Sequence, residues 1–241
     1  SQVKQAYDVA CNSGSAGPLT HSVFQAANRA AKRVQQETSI HRRRVSVPSV
    51  AVGEVATEVF DTLHNKRVIL CGAGEMGEET LRYLKQAGAS DICIINRSYD
   101  RAVALANTFS TESALWDDLQ EQIVSADLLI GTTSATEPIL DEATFLPLHS
   151  KRKNRLLLIL DLAVPRDFEA SIGELSNVYL YGIDDLQSAC DRNRRERQKE
   201  WPKAKQVISE ETQRFMQAFN HKATGPVIQR LREQAQDLKN D

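Results

Sequence analysis

Val68-Ile69-Leu70-Cys71-Gly72-Ala73-Gly74-Glu75-Met76-Gly77 is the stretch whose reading decides the fold. Its apolar start reads as a strand, its glycines as a tight turn, and the residues beyond as the first turn of a helix. Gly72 allows a sharp exit from the strand, Gly74 lets backbone amides approach a diphosphate, and Gly77 lets the helix sit close to the sheet. The diphosphate then meets the unpaired amides and positive end of that helix, so Gly72, Ala73, Gly74, Glu75, Met76 and Gly77 form one candidate cofactor-binding set. A second apolar run ends on Asn96-Arg97-Ser98, nineteen residues after Gly77. An acidic residue at that strand end would favour NAD; a neutral and then basic tip argues for NADPH. Arg97 can pair with a 2′-phosphate or lie over adenine, Asn96 can bond the ribose, and Ser98 can donate a further bond or cap the next helix.

Working outward, the pattern from 66 to 182 alternates short apolar runs with amphipathic segments. Strands are expected at 67–71, 91–96, 128–131, 156–161 and 178–181, and helices at 76–86, 99–109 and 115–124. The strands are too uniformly apolar for a half-exposed antiparallel sheet. They suit a parallel sheet covered on both faces, in an α/β, Rossmann-like domain. Gly131-Thr132-Thr133-Ser134-Ala135 leaves the third of these strands, and Thr132, Thr133 and Ser134 can line the cofactor where it crosses the carboxyl edge. Asp161-Leu162-Ala163-Val164-Pro165-Arg166-Asp167 leaves another. Asp161 and Asp167 there are either loop braces or substrate contacts.

The flanks are helical. A helix is expected from Gln2 to Ala10, ended by the break at 12–18. A buried stripe of Val23, Phe24, Ala27, Ala30, Ala31 and Val34 is expected on a second helix, and residues 50–63 read as a third. Arg42, Arg43 and Arg44 form a basic loop that can approach nucleic-acid phosphates. Beyond Asp184-Asp185-Leu186 lies a long charged helical stretch, with a start or kink at Pro202, a break at Gly225-Pro226 and a last helix over 227–238. The division expected is a helical segment over 1–63, the cofactor domain over 64–183 and a helical region over 184–241.

Composition bounds the remaining choices. The 241 residues are 41% hydrophobic and 26% charged, with a formal net charge of -2, which gives no global nucleic-acid signal. Cys11, Cys71, Cys93 and Cys190 lack any paired metal spacing, so neither a metal site nor a disulfide framework is expected. Cys71 and Cys93 fall in strands, where a thiol is a small hydrophobe and a poor nucleophile. No stretch approaches 18 apolar residues and no signal peptide opens the chain, so no membrane association is expected and the cytoplasm is the natural location. His21, His41, His64, His149 and His221 have no partner at a telling position. No catalytic residue is assigned: the chain has cofactor machinery without evident chemistry, as a fragment of a longer enzyme would.

The ordered combination of Gln2-Val3-Lys4, Phe24-Gln25-Ala26-Ala27, Lys32-Arg33-Val34, the glycine turn, Asn96-Arg97-Ser98, Asp161 to Asp167, Asp184-Asp185-Leu186 and Pro226 with Arg232 closely resembles glutamyl-tRNA reductases. The resemblance implies an NADPH domain and a C-terminal helical dimerisation region, joined to an N-terminal catalytic domain that this chain lacks. In that family a cysteine thiolate attacks glutamyl-tRNA, and hydride from NADPH reduces the thioester to glutamate-1-semialdehyde for tetrapyrrole synthesis. Cys11 does not match the position of that nucleophile. The resemblance further implies a homodimer through the C-terminal helices and glutamyl-tRNA as substrate. It also implies glutamate-1-semialdehyde aminomutase as a channelling partner, and the plastid stroma as the compartment in a plant. The competing readings are a shikimate-type NADP-dependent dehydrogenase and a non-catalytic interaction module on the same nucleotide fold.

Overall fold

The computed structural model describes residues 2–40 and 44–240, with the side chains of 3–40 and 44–221. Two compact units are present: 44–194, and 1–43 together with 195–241. The first holds a six-stranded, all-parallel sheet in the order β3-β2-β1-β4-β5-β6. Its strands are β1 (Val68–Cys71), β2 (Ile92–Ile95), β3 (Glu112–Ala114), β4 (Leu128–Gly131), β5 (Leu157–Asp161) and β6 (Val178–Gly182). Chain order reverses between β1 and β4, which places a topological switch point at their carboxyl ends. Open α/β sheets bind ligands in the crevice at such a point.

The uniformly apolar strands have the expected cause. Val68, Leu70, Ile92, Ile94, Leu128, Ile130, Leu158 and Leu160 point into one buried layer. Ile69, Cys71, Cys93, Ile95, Leu129, Leu157 and Ile159 alternate with them into the other. Every residue of the four central strands is buried, so both faces need apolar side chains. Each fully buried Leu or Ile contributes about 1.5–3 kcal/mol by leaving water.

Numbered along the whole chain, the helices of this unit begin with α3 (Val47–Val50), a π-helical segment (Ala51–Ala56) and α4 (Thr57–Val59). They continue with α5 (Glu75–Gln86), α6 (Tyr99–Phe109), α7 (Leu119–Ser125) and α8 (Glu142–Lys151). The helix expected over 50–63 is therefore shorter and π-distorted, and its chain turns extended at Phe60. Val50, Ala51, Val52, Ala56, Phe60 and Leu63 are all buried in the first layer. This is why the compact unit begins at 44 instead of at 64. Leu186 and Cys190 join the same layer, which carries its other end to 194 instead of 183.

Two elements escape the sequence reading. β3 is a three-residue edge strand without a fully buried side chain, so it lacks an apolar signature. α8 carries Pro147 in its interior, normally a breaker; Asp141 secures its start by accepting a 2.7 Å bond from the Thr144 amide. The segment expected as a helix at 115–124 begins as a 3-10 turn (Trp116–Asp118) before α7.

The second unit contains α1 (Gln2–Asn12), α2 (Pro18–Glu37) and the later part of α9 (Ile183–Asn240). Tyr7 stacks on Phe24 at 4.7 Å and bonds Nδ1 of His21 at 2.7 Å, joining α1 to α2. Arg33 reaches Glu37, Glu210 and Glu211, joining α2 to α9. Of the apolar stripe expected to be buried on α2, Phe24 packs on Tyr7, Val23, Ala27, Ala30, Ala31 and Val34 line an open groove of about 670 Å³, and only Ala26 of α2 is buried. α9 is continuous through Pro202, and the break expected at Gly225-Pro226 is absent. Arg42 and Arg43 lie outside the described residues. Arg44 is used internally: its guanidinium donates to the Ser49 carbonyl at 3.2 Å and lies against Gly53.

Candidate functional site

The turn after β1 leaves the sheet at Gly72, whose φ of +111° is costly for any residue with a Cβ. A Cβ there would also stand 2.5 Å from Oγ1 of Thr132. Gly77 faces inward, with a hypothetical Cβ only 2.4 Å from the Gly72 carbonyl oxygen, so its lack of a side chain lets α5 close on the strand ends. Gly74 differs from both. A Cβ on it would meet nothing within 4 Å, so the space beside it is open. Gly74 also starts α5: the Glu78 amide bonds its carbonyl at 2.9 Å, and the amides of Glu75, Met76 and Gly77 precede the first intrahelical bond.

That open space belongs to a cavity of about 260 Å³ at the switch point. Nine of the residues the sequence reading names, Gly72, Ala73, Gly74, Asn96, Arg97, Ser98, Thr132, Thr133 and Ser134, come together around it. Glu75, Met76 and Gly77 do not. The Glu75 side chain lines a separate cavity with Glu78 and Arg82, Met76 packs against the core, and Gly77 is buried. The reason is helical geometry: side chains of the first turn project away while the amides remain at its end.

The side chains around the cavity divide into braces and free groups. Asn96 is a brace: Oδ1 accepts from the Ala73 amide at 3.2 Å and Nδ2 donates to the Ser98 carbonyl at 2.9 Å. It ties the β1 turn to the β2 turn, where the sequence reading has it bonding a ribose. Thr132 is buried and donates to the Cys71 carbonyl at 2.9 Å. Thr133 gives its hydroxyl to Oδ1 of Asp167, and its amide bonds Oδ2 at 2.9 Å. Asp161, fully buried, accepts from the amides of Ala163, Asp167 and Phe168 at 3.1–3.3 Å. Of the two alternatives for these aspartates, both are loop braces here. Burial pushes both carboxyls above the ordinary range, opposed at Asp161 by the amide bonds and at Asp167 by the Thr133 bonds and the charge of Arg97.

Arg97 is the free group. It is exposed and forms no ion pair among the described residues; its contact is the face of Trp116, 5.8 Å from guanidinium carbon to ring centroid. Ser134 is exposed and lines the same cavity. Arg101 and Trp116 also line the cavity, and the sequence reading misses both. Arg101 was detectable as a second cation close to Arg97 in the chain, in the first turn of the helix expected over 99–109. Trp116 had no comparable signal, because β3 brings it there from a different part of the chain.

The cysteines fit the core reading. Cys71, Cys93 and Cys190 are buried and Cys11 is exposed. Burial pushes the Cys71 thiol up strongly and that of Cys93 up to about 11.

Comparison with known proteins places this geometry. Residues 54–189, over half of the chain, match the family model described as shikimate / quinate 5-dehydrogenase. Residues 203–241 match the model described as glutamyl-tRNAGlu reductase, dimerisation domain. The order of the two distinguishes among proteins that share the nucleotide fold. The chain belongs to the glutamyl-tRNA reductase family. It is 64% identical over 239 residues to the glutamyl-tRNA reductase of Rhodopirellula baltica, covering 99% of this chain and 56% of that protein. It is 37% identical over 238 residues to that of Natranaerobius thermophilus, covering 99% and 52%. The solved glutamyl-tRNA reductase from Methanopyrus kandleri superposes with a TM-score of 0.83 at 31% identity, over 99% of this chain and 62% of that one. The chain thus spans about half the length of the relatives it matches in sequence. This family assignment displaces the shikimate-type dehydrogenase as a reading of the chain. Among the described residues, no helix is long and apolar enough to cross a membrane.

Proposed function

We propose that this chain is the NADPH-binding and dimerisation part of a glutamyl-tRNA reductase, and that the cavity at the switch point is its cofactor site. One observation carries the reading. Arg97, a cation in no salt bridge among the described residues and acted on by the more distant charge of Asp167, lines the same cavity as the open side of the glycine turn. The residues fit the group. Space beside Gly74 admits a diphosphate, the amides at the start of α5 suit its charge, and Arg97 with Arg101 offers two guanidinium groups to a 2′-phosphate. Ser134 supplies an exposed hydroxyl to the same cavity from the turn after β4, while Asn96, Thr132 and Thr133 hold the two turns that form it. NADPH, when bound, supplies the hydride that reduces a glutamyl thioester to glutamate-1-semialdehyde. Burial excludes Cys71, Cys93 and Cys190 as the thiolate that forms this thioester from glutamyl-tRNA, and the exposed Cys11 does not match the position of the family's nucleophile, so that thiolate would come from a part of the enzyme outside this chain.

Titration with NADPH and NADH tests the site. Arg97→Ala should weaken NADPH by about 10- to 100-fold, the worth of a charge-assisted bond, and leave NADH nearly unchanged. Equal affinity of the unaltered chain for both nucleotides would reject it. Dimerisation through α9 is supported by the match at 203–221 and beyond and by exposed Ile208, Met216 and Phe219. Sedimentation of the chain with and without 203–241 tests that part; a monomer in both cases would reject it.

A further inference from the structure

We infer that Trp116 is a positioning residue for the adenosine corner of the site: its ring backs the Arg97 guanidinium and sets the plane from which that group meets a 2′-phosphate. The inference rests on the reading of the cavity as an NADPH site. Three observations carry it. First, Trp116 and Arg97 line the same cavity, and the guanidinium carbon lies 5.8 Å from the ring centroid, within reach of a cation–π contact. Second, the two partners are unequally fixed. Trp116 is half-buried and packs on the second apolar layer, and its turn is closed by bonds from the Asp118 amide to the Leu115 carbonyl and from the Leu115 amide to Asp118. Arg97 is exposed on a long side chain. The ring is therefore the template and the cation is the part that is ordered.

Third, the chemistry of the partner matters. A carboxylate at this place would occupy the N–H fork of Arg97 and compete with a bound phosphate. An aromatic ring takes only the π-face and leaves the in-plane donors unspent. A guanidinium already held against a ring also loses less freedom when the anion arrives, which raises affinity for the phosphorylated nucleotide selectively. Trp116 thus acts through Arg97 on the choice between a phosphorylated and an unphosphorylated ribose, without touching the reacting atoms.

The experiment uses the full chain and two probes of the adenosine half, adenosine 2′,5′-bisphosphate and adenosine 5′-monophosphate. Trp116→Leu, which keeps apolar packing and removes the π-face, should cut the affinity ratio of bisphosphate to monophosphate about threefold to fivefold. Trp116→Phe should retain most of the ratio, and Arg97→Ala should abolish it. In a Trp201→Phe background, where Trp116 is the remaining tryptophan of the two, the bisphosphate should perturb its emission more than the monophosphate does. An unchanged ratio in Trp116→Leu, or equal loss for both probes, would overturn the positioning role while leaving the cofactor site standing. If the unaltered chain and Arg97→Ala bind both probes alike, the cofactor reading itself falls and takes this inference with it. Thermal melts of each variant keep these outcomes separate from misfolding.

Discussion

The two turns that face each other across the switch point are built on opposite plans. At 72–77 the chain is shaped by glycines, its helix-starting amides come before the first intrahelical bond, and the space beside Gly74 is open. At 132–135 two of the three hydroxyls are turned inward, with Ser134 left exposed: Thr132 is spent on the Cys71 carbonyl and Thr133 on Asp167, which Asp161 helps to hold. Both turns carry residue types that suit a nucleotide. One presents its donors and the other consumes most of them, so under the proposed function the first turn would meet the nucleotide and the second would support it. Residue type alone does not separate these roles. Hydrogen-bond partners do.

The largest expected effect comes from breaking the first turn. Gly72→Val forces a β-branched residue to φ +111° and drives its Cβ toward Thr132. A loss of about 3–5 kcal/mol is expected in urea unfolding, and a loss below 1 kcal/mol would mean that the turn relaxes. Breaking the second turn should cost somewhat less. Asp167→Ala strands the amide and hydroxyl of Thr133, and about 2–3 kcal/mol should be lost, with Asp167→Asn recovering part of it.

The sheet beneath both turns responds to alkali. The Cys93 thiol is held protonated by burial to about 11, against an ordinary value of 9.0. A raised folded pKa contributes stability that is complete below about pH 9 and lost as pH rises toward 11. The unfolding free energy from urea titrations should therefore fall across that window, by up to about 2–3 kcal/mol from this group. At pH 8, iodoacetamide followed by mass spectrometry should label Cys11 and spare Cys71, Cys93 and Cys190 until the chain unfolds.

The smallest effect on stability, and the sharpest test of the contrast, belongs to Gly74→Ala. Its φ of -92° suits alanine and its Cβ meets no protein atom, so stability should change by less than about 1 kcal/mol. NADPH affinity should nevertheless drop about tenfold or more, because the methyl group enters the space left for the diphosphate. Unchanged affinity would place the nucleotide elsewhere.

The amino-acid order by itself determined the parallel sheet, because only strands buried on both faces need apolar residues at every position. It also determined the glycine turn at 72–77, where glycine spacing answers a local steric demand, and the basic tip at Arg97, set at a strand end by chain distance from Gly77. Tertiary structure alone decided what those local demands leave open. It paired β4 with β1 and so created the switch point. It brought Trp116 to Arg97 from another strand end, and it turned Asn96, Thr132 and Thr133 from ligand-facing candidates into braces. It also drew residues 44–63 into the sheet's core while leaving the stripe on α2 in an open groove. Burial and hydrogen-bond partnership depend on which segments meet in space, and local periodicity carries no record of that.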